Sequence, residues 1–225
     1  MILVLKFGGS LLYENNLQFN REVIDQWIQL VRKLYLEHQI CVVVGGGKIT
    51  RMLSHRLNDL NNAELDILAT KMTWVHAYIV SRYLARYLPT KVITNHEELL
   101  THFDGVHVTG GFYPGQSTNG AAATCAEILN ADLLVNYFNY DKVYSSDPEK
   151  GGDGKPLDKL DYLTMRELIG SFSQSPGHYE LFDYNALNTV ERSNIPVLFL
   201  NGKNPHLLLK FLKDERVGTL MEGKL

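Results

Sequence analysis

Short apolar runs alternate with segments whose apolar residues recur at helical spacing. Residues 2–6 and 40–44 are near-continuous and aliphatic, which predicts strands covered on both faces. Between them Val23, Ile24, Trp27, Ile28, Val31, Leu34 and Tyr35 form one stripe, so residues 19–37 are predicted as a helix. Helices are also predicted over 48–60 and 63–88, and a small-residue helix over 116–130. Short strands are predicted at 92–93, 106–108 and 132–137. Residues 164–170 and 184–193 read as helical, 195–200 as a strand around Pro196, and 205–213 as a short helix. Residues 147–160, rich in Gly, Asp, Lys and Pro, read as a loop insertion. This alternation predicts an α/β fold, a three-layer αβα sandwich around a mostly parallel sheet. No repeat or linker interrupts the pattern, so residues 1–225 are expected to form a single domain.

Composition narrows the picture. A formal net charge of −3 offers no basic footprint, so nucleic acid is not an expected partner. No apolar run reaches the ~18 residues that span a membrane, and none is expected to. The first residues carry no basic leader pattern and read as a first strand, which suits a cytoplasmic protein. Cys41 lies in an apolar strand and Cys125 in an alanine-rich helix, so both read as small core residues of a reducing compartment.

Candidate chemistry sits in three glycine-rich turns that follow apolar strands. They are Lys6-Phe-Gly8-Gly9-Ser10, Gly45-Gly46-Gly47-Lys48, and Gly110-Gly111-Phe112-Tyr113-Pro114-Gly115-Gln116-Ser117-Thr118. Such turns expose backbone N–H groups with no Cβ in the way, and a helix N-terminus behind them favours anions. Three in one domain point to several phosphates held together. Lys6 alone reads as a solvated strand-end cation; beside Gly8, Gly9 and Ser10 it reads better as a group that neutralises a transferring phosphoryl. Lys48 and Arg51 fall in the first turn of a helix, where cations oppose the dipole unless a bound anion compensates; for Lys48 a merely exposed position stays open. Asp141, Tyr144 and Asp147, on a turn after a strand that carries Asn139, could hold a base and ribose or could be ordinary loop residues. Asp183 is either a helix N-cap or a carboxylate that works near the phosphates. There is no Walker A sequence and no dinucleotide fingerprint.

These residues resemble the amino acid kinase superfamily, and within it the archaeal-type uridylate kinases. The resemblance runs nearly end to end. It is carried by the three glycine turns, by Ala131-Asp-Leu-Leu-Val135, by Asp141-x-Val-Tyr144 with Asp147-Pro148, by Tyr179-Glu-Leu-Phe-Asp183, by Val190-Glu-Arg-Ser-Asn-Ile-Pro196 and by Gly218-Thr219-Leu220. It implies transfer of the ATP γ-phosphoryl to UMP with Mg2+, in a homo-oligomer, usually a hexamer. It places Gly8, Gly9, Ser10, Gly47 and Arg51 at the ATP phosphates and Asn139, Tyr144 and Asp147 at the adenosine. Gly46, Asp66 and the run Phe112, Tyr113, Pro114, Gly115, Gln116, Ser117 and Thr118 are implied to bind UMP. Lys6 and Asp183 are implied to be catalytic.

The chain departs from that pattern at Trp74, where an arginine is expected to grip the acceptor phosphate, and at His76, where an asparagine is expected. No partner for His76 is visible in the sequence. Lys71, one helical turn before Trp74, is the candidate substitute cation. A different small acceptor, or nucleotide binding without catalysis, are the alternatives these departures raise.

Overall fold

A computed structural model describes residues 1–57, 59–146, 154–171 and 181–223. In chain order the strands are β1 (Ile2–Phe7), β2 (Gln39–Val44), β3 (Thr90–Ile93), β4 (Val106–Thr109), β5 (Leu133–Phe138), β6 (Val143–Tyr144), β7 (Pro156–Leu157), β8 (Lys159–Asp161), β9 (Val197–Asn201) and β10 (Thr219–Glu222). Eight of them form one sheet in the order β3-β4-β2-β1-β5-β9-β10-β8. Every neighbouring pair is parallel except β9 with β10. Strands β6 and β7 make a separate antiparallel ribbon.

Helices cover both faces. On one side lie α1 (Arg21–Leu34), α3 (Asn62–Leu84) and α7 (Leu207–Phe211); on the other lie α4 (Thr118–Ile128), α5 (Tyr162–Ser171) and α6 (Tyr184–Arg192). The strands explain this division. Leu3, Leu5 and Phe7 join the cluster under α1 and α3, while Val4 joins the cluster under α4 and α6. Successive side chains of a strand point to opposite faces, so a strand buried on both must be apolar at nearly every position. Cys41 and Cys125 are buried and unbridged, and burial pushes the Cys125 thiol upward. No helix among the described residues is long and apolar enough to cross a membrane.

The predicted helices are present with shifted ends, and two of their starts follow side-chain caps. Helix α1 starts at Arg21 because the Asn20 side chain accepts the Val23 N–H. Helix α3 starts at Asn62 behind a reciprocal Asn61–Glu64 box. Asn61→Ala should therefore lower stability by about 1 kcal/mol, read as a reduced urea midpoint at unchanged slope. An unaltered midpoint would show that the box contributes nothing.

One expectation needs correction. The predicted 147–160 loop contains β7 and the start of β8 within its described part, residues 154–160. Both are pinned by distant partners: β7 by β6, and β8 by β10.

Candidate active site

The C-terminal ends of β1, β2, β4 and β5 lie together; the first three run into the glycine turns singled out above, and β5 runs into Asn139. β2 pairs with one edge of β1 and β5 with the other, so the chain switches sides here. Open parallel sheets bind ligands at such a switch point. Gly8 leads into a 3-10 turn, Gly9–Leu12. Gly46 caps helix α2 (Gly47–Arg56) without a side-chain hydrogen bond, leaving its first N–H groups to other partners. Ser117 caps α4, its Oγ accepting the Gly120 N–H at 2.9 Å.

Two of the glycine turns touch backbone to backbone. A Cβ on Gly9 would lie 2.0 Å from the Gly45 carbonyl oxygen and 2.8 Å from the Gly47 nitrogen. Gly47 has φ +63°, and a Cβ there would lie 2.2 Å from the Gly9 carbonyl carbon. The glycines thus have a reason beyond ligand access: only bare backbone lets the turns after β1 and β2 meet.

Around that contact are two adjoining lobes. The first, about 190 Å³, is lined by Lys6, Gly8, Gly9, Ser10, Asn119, Asn139 and Tyr140 among others. The second, about 420 Å³, is lined by Asp66, Thr70, Thr73, Gly111, Gly115 and Gln116 among others. Gly46, Gly47, Arg51, Ser117 and Thr118 line both. Lys6 is half-buried and shares the face of Val4, toward α4 and α6. Its register partner on β5 is Asn136. Arg51 donates to Ser10 Oγ at 2.8 Å, which ties α2 to the first turn.

Helix α3 holds the turns from the side. Thr73 Oγ1 accepts the Gly111 N–H at 2.7 Å, and Trp74 Nε1 donates to the Gly111 carbonyl at 2.7 Å. His76, fully buried, contacts the Gly45 carbonyl through Nδ1 and the Tyr13 hydroxyl through Nε2, each at 2.9 Å. Burial pulls the His76 pKa below its ordinary value, against the hydrogen bond to Gly45, so the ring is neutral at pH 7. Lys71 is exposed and lies 5.6 Å from the centre of the Trp74 ring. Trp74 and Lys71 are both outside the lining of the larger lobe, whose lining cation is Arg51.

The remaining predicted residues divide. Asp66 lines the larger lobe beside Gly115, whose positive φ of 76° sets the turn. Phe112 is buried in the core; Tyr113 is exposed, its hydroxyl on His96 Nδ1 at 2.8 Å. Phe112, Tyr113 and Pro114 are outside the lining of either lobe. Tyr144 sits in β6 with its ring 6.5 Å from that of Tyr140, which does line the smaller lobe. Asp147 lies outside the described residues. Asp183 is the N-cap of α6, its Oδ1 accepting the Ala186 N–H at 3.0 Å, and its Oδ2 accepts from the Ser117 hydroxyl. The cap and the site contact coexist. Lys48 is engaged away from both lobes, donating to the Tyr13 carbonyl and to Asn15 Oδ1 at 3.0 Å each.

Tyr13, Thr73 and Tyr140 escaped the sequence reading. So did Asn136, a buried amide in an otherwise apolar strand, which donates to Asn119 Oδ1 at 3.3 Å and to the Leu181 carbonyl at 3.4 Å. A lone polar residue inside an aliphatic run was its only signal.

The sequence profile of the amino acid kinase family matches residues 1–201. The chain belongs to the amino acid kinase family. Among curated relatives, a uridylate kinase of Sulfolobus acidocaldarius is 37% identical, the match covering 96% of each chain. One of Methanocaldococcus jannaschii is 34% identical, covering 99% of this chain and 100% of its own. The crystal structure of a uridylate kinase from Archaeoglobus fulgidus superposes with a TM-score of 0.82 at 29% identity, covering 98% of this chain and all of that one. A UMP kinase from Bacillus anthracis, at 18% identity and TM-score 0.84, shares the fold.

Proposed function

We propose that this chain transfers the γ-phosphoryl group of ATP to UMP, giving ADP and UDP. The observation that carries this is the pair of lobes joined along Gly46, Gly47, Arg51, Ser117 and Thr118. Two phosphorylated substrates placed in them meet at that shared rim. Relatives named uridylate kinase match over nearly their whole length, which fits the same reading.

The chemistry needs little covalent work from the protein. A UMP phosphate oxygen attacks the γ-phosphorus, the bond from it to the β–γ bridging oxygen breaks, and the bridging oxygen leaves on ADP. Positioning and charge stabilisation do most of the catalysis. Gly8, Gly9 and the uncapped start of α2 offer N–H groups to the ATP phosphates, with Arg51 steadying Ser10 above them. Lys6 lines the same lobe, and its ammonium is the group assigned to the charge that spreads over the transferring phosphoryl. Asp66 offers a carboxylate to the UMP ribose. Asn139 and Tyr140 stand at the adenosine end, with Tyr144 behind.

Mg2+ is part of the proposal. Among the described residues no cluster of three His, Cys, Asp or Glu side chains could hold a metal. The ion would be carried chiefly by phosphate oxygens and water, with Asp183, tied to Ser117, as the carboxylate that meets it. When bound, the ion neutralises phosphate charge. A homo-oligomer, a hexamer by family resemblance, and a cytoplasmic setting in pyrimidine synthesis complete it; Ile67, Val75 and Tyr78 on α3 are exposed and available for subunit contact.

Purified protein with ATP, Mg2+ and UMP should form UDP and ADP one for one. Absence of turnover over a wide UMP range ends the proposal, and ATP binding without turnover would make the chain a nucleotide-binding protein. Trp74, the motive for considering another acceptor, contacts the Gly111 carbonyl and leaves the larger lobe alone. Asp66→Asn should raise KM for UMP about 10-fold and leave KM for ATP within about 2-fold, since one hydrogen bond from a charged acceptor is weakened. Equal changes in both constants would remove Asp66 from the acceptor site.

A further inference from the structure

We infer that Tyr13 and His76 are a positioning pair for the Gly45 turn, holding the start of α2 in register for phosphoryl transfer; this rests on the kinase reading. Neither residue lines either lobe, so neither touches a substrate placed there. Their hydrogen bonds instead close a ring around the turn. The Gly45 carbonyl can only accept, so His76 Nδ1 carries the proton and donates to it. Nε2 is then bare and accepts the Tyr13 O–H. The Tyr13 carbonyl in turn accepts from Lys48, in the first turn of α2.

The Gly45 N–H is also fixed, donating to the Phe7 carbonyl at 3.0 Å. The two peptide groups that flank the Gly45 Cα are therefore held, one from β1 and the other from α3, next to the glycines that line both lobes. The same ring accounts for Lys48, a cation placed against the α2 dipole: it has two oxygen partners. Tyr13 is steadied by edge-on packing against Phe19, ring centres 5.3 Å apart, and by a bridge between the two backbones. The chain thus uses an imidazole where relatives of this type are expected to carry asparagine, and the imidazole adds a second link, to Tyr13.

Three variants test this, with kcat normalised to the folded fraction by circular dichroism. His76→Leu keeps an apolar side chain in the space but leaves the buried Gly45 carbonyl without its donor. It should lose about 50-fold in kcat with KM for UMP changed less than about 3-fold, because a turn displaced by a fraction of an ångström misaligns the transferring group. His76→Asn should recover to within about 5-fold of the parent, since its amide N–H takes the place of Nδ1–H. Tyr13→Phe should lower kcat a few-fold. A His76→Leu protein that is folded and keeps kcat within 3-fold overturns the inference.

If His76→Leu does not fold, nitrogen-15 NMR of the His76 ring decides. The parent should show Nδ1 protonated and Nε2 bare, with the Nε2 shift moving in Tyr13→Phe as its donor is lost. A parent ring protonated at Nε2, or an Nε2 shift indifferent to Tyr13→Phe, overturns it. A parent protein without turnover on UMP would sink the kinase reading, and the ring spectrum would still report the geometry.

Discussion

Lys6→Ala should lower kcat about 10³-fold while leaving KM for ATP within about 5-fold. The asymmetry follows from the role proposed for the ammonium. The backbone groups of Gly8, Gly9 and the α2 start can hold the ground-state phosphates without Lys6. The ammonium matters most when negative charge redistributes over the γ-phosphoryl and the bridging oxygen. Lys6 sits in the middle of the sheet, with β2 and β5 on either side, so its backbone place is secure. Lys6→Arg should recover little, because a broad planar guanidinium cannot occupy the point-like position of an ammonium. Steady-state rates of ADP release, with the circular dichroism spectrum unchanged, measure the effect. A Lys6→Ala enzyme within 10-fold of the parent would leave Lys6 as no more than a strand-end cation.

The fold was legible where burial is two-sided. Strands β1, β2, β5 and β9 are apolar at nearly every position because helices lie on both faces. Helix ends were legible in principle: Asn20, Asn61, Ser117 and Asp183 are all good caps, each accepting from a first-turn N–H. Strands β6, β7, β8 and β10 were not. With two to four residues each they carry no period, and their pairing is set by partners far along the chain.

The candidate site shows the same division. Its glycines announce themselves because runs of glycine are costly without a use. The residues that hold them do not. His76 meets Gly45 across 31 positions and Tyr13 across 63, and Trp74 meets Gly111 across 37. Nothing in local spacing encodes such a meeting. Trp74 and His76 were visible only as departures from a family pattern. Their role, steadying main-chain carbonyls, follows from the α3 geometry.

Gly9→Ala should cost about 10²-fold in kcat and 1–3 kcal/mol in stability, the second largest effect expected of a single change. The added methyl would lie 2.0 Å from the Gly45 oxygen, with the Gly47 nitrogen also inside contact range. Neither neighbour is a flexible side-chain tip. Gly45 is bonded to Phe7 and His76, and Gly47 already holds a left-handed φ at the start of α2. Relief must therefore come from separating the two turns, which moves the N–H groups of one lobe relative to those of the other. Gly8→Ala is the companion experiment. Gly8 has an ordinary φ of −63°, and its Cβ would meet Tyr137 O at 3.6 Å and Leu11 Cδ1 at 3.8 Å, both normal contacts. The free protein should accept that methyl with its melting temperature nearly unchanged. A loss of ATP affinity in Gly8→Ala then reports a phosphate approaching the bare backbone, since no intramolecular clash is present to explain it. If Gly8→Ala binds ATP as the parent does while Gly9→Ala is crippled, the first glycine turn serves the packing of β1 against β2 and the phosphates lie elsewhere in the lobe.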